Sequence, residues 1–257
     1  MSTENGPTTS DAAPYSFTLK DLNASTWADH PLGRTAYGMK RSGFHRWGFV
    51  IYRTTYDDDA AWERYVEVLK RIARSVLVDE GGDVLLEQYM DCKQFSPAFS
   101  RLNIDGSRAG NATLEGASKA EVRKHFISWR EARSEERDGP GATKDRAKRL
   151  PRFKHCVYVD RKCLDTLAGL PADCDEEKLF NVVAVVIDGS FDEKTPGDDE
   201  GLYPDIEGCT ARYVGWRYED IEMLVDTYEE SHNYPLSHID YKRPPLISPN
   251  GRRSMPA

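Results

Sequence analysis

The sequence predicts an α+β fold in one domain, a mixed sheet with helices packed on it. Three observations predict it. Apolar strand-like runs recur at 47–56, 153–159, 180–187 and 210–217. Helical stripes of 3,4,7 spacing lie between and after them. Strands and helices alternate, but not strictly, which favours α+β over a doubly wound sheet. The arrangement expected is ferredoxin-like, a split β-α-β sheet built from those four strands.

The elements follow in chain order. Residues 1–16 are rich in Ser, Thr, Pro, Gly and Asn, and 1–40 show little core pattern, so a largely disordered N-terminal tail is expected at 1–40, with a domain at 41–235. Trp47–Tyr56 is dominated by β-branched and aromatic residues, and its continuously apolar first half reads as an interior strand covered on both faces. Asp57, Asp58 and Asp59 end it and place carboxylates at the start of a helix, where they cap free N–H groups and meet the positive dipole end. That helix carries Trp62, Tyr65, Val66, Leu69, Ile72, Ala73 and Val76 on one stripe. The stretch 84–100 fits helix or strand, and 103–116 reads as loop. Ser118-Lys-Ala-Glu121 is a capping box opening a helix to about Ser134, with Val122, Phe126 and Trp129 inward. A polar linker spans 135–151. After the strand at 153–159, Asp160 caps a short helix. The run 179–187 is a third strand and 210–217 a fourth, and Ile221, Leu224, Val225 and Tyr228 mark the last helix. Pro244, Pro245 and Pro249 predict an extended Pro/Arg-containing tail at 236–257.

The chain has 257 residues and a net charge of −8, a balance unlike that of a general nucleic-acid binder. It has no apolar run of spanning length, so no membrane partner is expected. The first 30 residues contain no apolar signal core, so a cytoplasmic location, or a nuclear one, is expected. The odd set of five cysteines shows no CxxC and no zinc-finger spacing, which fits reduced thiols. The sequons at Asn23 and Asn111 carry little weight, since glycosylation needs the secretory route.

The segment WGFVIYRTTYDDDAAW, Trp47 to Trp62, resembles a recurring pattern in proteins of filamentous fungi. The likeness continues through Leu114-Glu-Gly-Ala-Ser118, Cys156-Val-Tyr-Val-Asp160, Ile206-Glu-Gly-Cys-Thr210 and Arg243-Pro-Pro245. The resemblance implies a fungal source and one shared fold, and it implies no mechanism.

Candidate chemistry is sparse. Arg53 and Thr55 close the best strand beside a helix N-terminus, where a guanidinium with hydroxyl neighbours suits a carboxylate or phosphate; the competing reading pairs Arg53 with Asp57, Asp58 or Glu63. Three consecutive acids at 57–59 serve better as caps than as cation ligands, because adjacent side chains point apart, and no metal or other cofactor is expected. His155, Tyr158 and Tyr56 are the titratable groups that an enzyme would use. Strand alternation puts His155 and Cys156 on opposite faces, which separates a Cys–His pair. His232 and His238, with Asp240, read as surface loop. The run 144–154 carries a net +5 and the run 192–207 a net −6. Arg149 and Arg152 in the basic run can contact phosphates, or the run can dock on the acidic one. No nucleotide-loop, zinc-protease or nucleophile-elbow motif occurs.

These features give three functional expectations. The first is a non-catalytic binding or accessory protein whose partner is a small anionic ligand or another protein. The second is an enzyme on a small anionic or aromatic metabolite with a pocket near Arg53. The third is nucleic-acid contact through 144–154.

Overall fold

The structure is a computed structural model that describes residues 32–79, 114–171, 174, 179, 181–192, 195, 197–249 and 251–256, together with the backbone of 94–95. Residues 1–31, the rest of 84–100, Cys92, the loop at 103–113 and both sequons' asparagines lie outside the described residues.

The fold is α+β with one mixed sheet. Its strands are β1 (Val50–Arg53), β2 (Gln94–Phe95), β3 (His155–Val159), β4 (Val183–Asp188), β5 (Trp216–Asp220) and β6 (Ile247–Ser248), in the spatial order β2-β1-β3-β4-β5-β6. β1 pairs in parallel with both β2 and β3; β3–β4 and β4–β5 are antiparallel; β6 adds in parallel to β5. The class holds, but the strand order refines the expected arrangement. The parallel strands β1 and β3 are direct neighbours with nothing inserted between them, unlike a split β-α-β sheet, and two further strands widen it.

Among the described residues the helices are α1 (Gly33–Ser42), α2 (Asp59–Asp79), α3 (Lys119–Glu131), α4 (Glu135–Asp138), α5 (Arg161–Ala168) and α6 (Leu224–Glu230). β1 is an interior strand, buried at all four positions, as its unbroken apolar run requires. Register places Tyr52 beside Tyr158, and Tyr158 beside Val185. That face meets α3, where Tyr52 packs edge-on against His125 and the Tyr158 hydroxyl donates to the Ala117 carbonyl. The opposite face carries Ile51, Val157 and Val186 and is covered by α2 and α6. The helix α2 presents Trp62, Tyr65, Leu69 and Ile72, all buried, on the stripe the spacing predicts. The α3 capping box forms: Ser118 Oγ accepts from Glu121 N while the Glu121 carboxylate accepts from Ser118 N. Asp160 caps α5 through Cys163 N.

Four boundaries differ from the sequence reading. The first strand starts at Val50, because Gly48 sits at φ 101 and its carbonyl is taken by Arg152. The fourth strand lies at 216–220, because Gly215, at φ 77, turns the chain just before it. The body begins before residue 41. The helix α1 buries Ala36 and Met39, and its free N–H groups are capped by a distant residue: Glu229 accepts from Arg34 N (2.7 Å), Thr35 N (2.8 Å) and Thr35 Oγ1 (2.7 Å). The segment 236–256 is docked rather than a free tail. Leu236, Ile239, Tyr241 and Ile247 are buried, and β6 completes the sheet.

Ile51 is 1% exposed on β1. Ile51→Asp therefore abolishes cooperative melting, since a buried unpaired carboxylate removes several of the about 5–15 kcal/mol that hold a domain. A soluble Ile51→Asp variant with a sharp thermal transition by circular dichroism would contradict that placement.

Candidate functional site

Arg53 is buried, and its guanidinium is spent within the chain. Its guanidinium closes the turn between β1 and α2: Nε donates to Thr55 O (2.6 Å), Nη1 to Asp59 Oδ1 (2.6 Å) and Nη2 to Asp58 O (3.3 Å). It also lies 4.9 Å from the Tyr56 ring centre and 5.3 Å from that of Trp62. Thr55 Oγ1 donates to Asp57 Oδ1. The three acids take separate partners, Asp57 with Arg161, Asp58 with Ala61 N as a cap, and Asp59 with Arg53. Among the described residues no group of three or more His, Cys, Asp or Glu is placed to hold a metal ion.

The titratable candidates do not meet. The Tyr56 hydroxyl donates to Arg53 O and the Tyr158 hydroxyl to Ala117 O, and burial pushes both phenols up to about 12. His155 is buried, with neither ring nitrogen in a hydrogen bond. Its Nδ1 lies 3.7 Å from Asp188 Oδ1, too far for one. Burial, only partly opposed by Asp188, pulls its pKa down to about 4. Burial also pushes the Cys156 and Cys163 thiols well up, so neither is an activated nucleophile. His232 and His238 have different surroundings. His232 packs on Tyr228, whereas His238 meets Ser237 Oγ.

The basic run is not a loose phosphate-binding loop. It is folded into two short 3-10 turns that bury Ala147, Leu150 and Phe153. Arg152 is 2% exposed and donates to the Gly48 carbonyl, which removes it from any phosphate backbone. Arg149 remains exposed. Lys148 pairs with Glu131, and Lys154 donates to Ser231 O.

A cleft of about 1060 Å³ opens elsewhere, where β4 ends and β5 begins. Asp188 forms part of its floor. Asp188 Oδ2 accepts from the Tyr213 hydroxyl (2.9 Å) and Oδ1 from Ser190 N (2.8 Å). The Tyr213 ring sits edge-on between Phe191 (5.6 Å) and Tyr241 (4.9 Å). Burial, reinforced by Asp188, raises the Tyr213 phenol. Arg123 supports the floor from α3, donating Nε to Asp188 O and Nη2 to Gly215 O with its guanidinium 5.0 Å from the Phe191 ring centre.

One wall is the arm 197–212. It turns tightly at Glu207 and Gly208, both at positive φ, between Ile206 and Cys209, which bridge each other. Two cations fasten it. Lys119 Nζ, 4.2 Å from the Trp216 ring centre, binds Glu207 Oε1 at 2.7 Å. Arg243 donates to the carbonyls of Ala211, Pro204 and Cys209. The sequence marked this arm as an acidic loop to 208 and the start of a strand from 210. Asp188, Phe191, Tyr213 and Tyr241 carried no local motif, and their convergence depends on the hairpin and on the docked C-terminal segment.

Two outcomes follow. Arg53→Ala loosens the β1–α2 turn and costs about 2 kcal/mol by urea denaturation, from the loss of its buried hydrogen bonds; an unchanged midpoint would refute the clamp. For His155 the folded pKa is depressed, so below about 6.5 the unfolded chain binds the proton first and stability falls as pH drops toward 4. His155→Leu, which removes that group, lessens the stability lost between pH 7 and pH 5 by up to about 2 kcal/mol; an identical pH dependence in both proteins would show that His155 is not the titrating group. No family model, no curated protein and no solved structure matches this chain.

Proposed function

We propose that this protein acts by binding a small ligand in the cleft between the arm 197–212 and the segment 237–241. The observation that carries this reading is the floor, where Asp188, oriented by Tyr213 and Ser190 N, sits among the rings of Phe191, Tyr213 and Tyr241. A few placed polar groups among aromatic walls are what small-ligand sites offer, in clefts of roughly 300–1,000 Å³. The support for a binding role over an enzymatic one is that His155, Tyr56 and Tyr158 point their polar atoms at backbone or bury them without partners, rather than into a shared space. The support for this cleft over the Arg53 turn is that the Arg53 guanidinium already has three acceptors.

The test is a fragment screen on the full chain read by backbone amide shifts. Hits are expected to move the amides of Phe191, Tyr213 and Tyr241, and Tyr241→Ala is expected to weaken them about tenfold, as for a central aromatic contact. A screen whose hits leave those amides unmoved, or move those around Arg53 instead, would overturn the reading.

A further inference from the structure

We infer that the acidic arm docks on the basic face around 144–149 of a second copy of this chain, so that molecules associate head to tail. The contact needs no ligand in the cleft, which Asp198, Leu202, Tyr203 and Asp205 do not line. The arm is exposed from Glu200 to Asp205 and raises Leu202, 75% exposed, and Tyr203 among carboxylates. Asp198 has no partner among the described residues. Asp199 accepts from Arg212 N, Glu200 from Thr210 Oγ1 and Asp205 from Gly208 N. Neutral donors fix the direction of a carboxylate without cancelling its charge. The cations beside the arm are Lys119, paired with Glu207, and Arg212 and Arg243, so three positive charges face the five carboxylates of 198–207.

The receiving face is built from α1 and the two 3-10 turns. A Cβ on Gly38 would meet Leu150 Cδ2 at 3.0 Å, and one on Gly43 would meet Lys144 Nζ at 2.6 Å, so α1 lies against the basic run. Lys144, Arg146, Lys148 and Arg149 are exposed, as is Arg41 in the last turn of α1. The side chains of Lys144, Arg146 and Arg149 have no hydrogen bond or ion pair among the described residues. The carboxylates beside them are Asp145, Glu131, which Arg130 and Lys148 already hold, and Glu135, which accepts from Gly141 N. Positive charge is therefore in excess. The half-exposed Tyr37 ring, with the Arg41 guanidinium 5.6 Å from its centre, offers an apolar seat for Leu202 and Tyr203. An apolar contact ringed by opposite charges is the anatomy of a specific interface.

Within one molecule α3 keeps the two surfaces apart. Lys119, its first residue, binds Glu207 of the arm, and Glu131, its last, binds Lys148 of the basic run, about 18 Å further on at 1.5 Å per residue. No ion pair among the described residues joins 198–207 to 144–149. A second copy presents the same basic face free of that restriction. The net charge of −8 repels two copies in most orientations, and bringing arm to face is the orientation that relieves it. Because the two surfaces differ, the contact is heterologous and either closes into a ring or continues as a chain.

The experiment is sedimentation velocity on the full chain. At low salt the weight-average mass is expected to rise above that of one chain as protein concentration is raised, and to fall back as salt is added. The double reversals Asp198→Lys with Asp205→Lys on the arm, and Arg146→Glu with Arg149→Glu on the face, are each expected to weaken association about tenfold or more. Mixed in equal amounts the two variants regain it, because each reversed surface then meets its opposite charge. Leu202→Ala is expected to weaken association about fivefold with the melting temperature unchanged. The salt series and Leu202→Ala keep the test decisive should a reversal fail to fold. A single-chain mass at every concentration and salt, association indifferent to both reversals, or no recovery on mixing variants that melt like the parent overturns the inference. So does a chain that stays monomeric while its arm binds a polylysine peptide or its basic face binds polyphosphate.

Discussion

The Arg217–Glu219 pair on β5 holds the C-terminal half of the molecule together. Both side chains are about 1% exposed and doubly bonded, Nη2 to Oε1 at 2.5 Å and Nε to Oε2 at 3.2 Å. Burial pushes the Glu219 carboxyl up, and Arg217 and Thr227 oppose that. A charge taken out of water needs every lone pair and proton occupied. That demand recruits Thr227 of α6 and the Ile239 carbonyl, so one strand, one helix and the segment beyond it are fixed to a common point. Two residues past Thr227, Glu229 caps α1, which carries the constraint to the N-terminal end of the described chain.

The cleft inherits its shape from this arrangement. Ile239, bound by Arg217, is two residues before Tyr241, whose hydroxyl donates to Arg212 O and accepts from Val214 N. The aromatic floor is thus tied to the sheet through backbone on both sides, and the arm above it is tied through Lys119 and Arg243. For the ligand binding proposed, a site held in this way spends little ordering entropy.

The parts of the fold legible in the sequence were those with local causes. The apolar run ending at Arg53, the stripe from Trp62 to Ile72, the Ser118–Glu121 box and the Asp160 cap each carry their signal within a few residues. The illegible parts have distant causes. β5 reads Trp-Arg-Tyr-Glu-Asp, which is polar on paper and buried only because Arg217 and Glu219 satisfy each other. The helix α1 has no local cap, and its stabilising carboxylate lies 195 positions from Arg34. β6 lies among prolines and pairs with β5 beside the buried Tyr241 and Ile247. At the Arg53 turn the ingredients were visible in the sequence, but their geometry gives a clamp. At the cleft the acidic run was visible, while the rings beneath it were scattered from Phe191 to Tyr241.

The strands β2 and β6, each two residues long, close the sheet at its two ends. On the β6 side the next residue is Pro249, which has no N–H to offer. A neighbouring molecule seeking to extend the sheet there finds too short a ladder to grip, so the long apolar strands β3 and β4 stay shielded from intermolecular strand pairing.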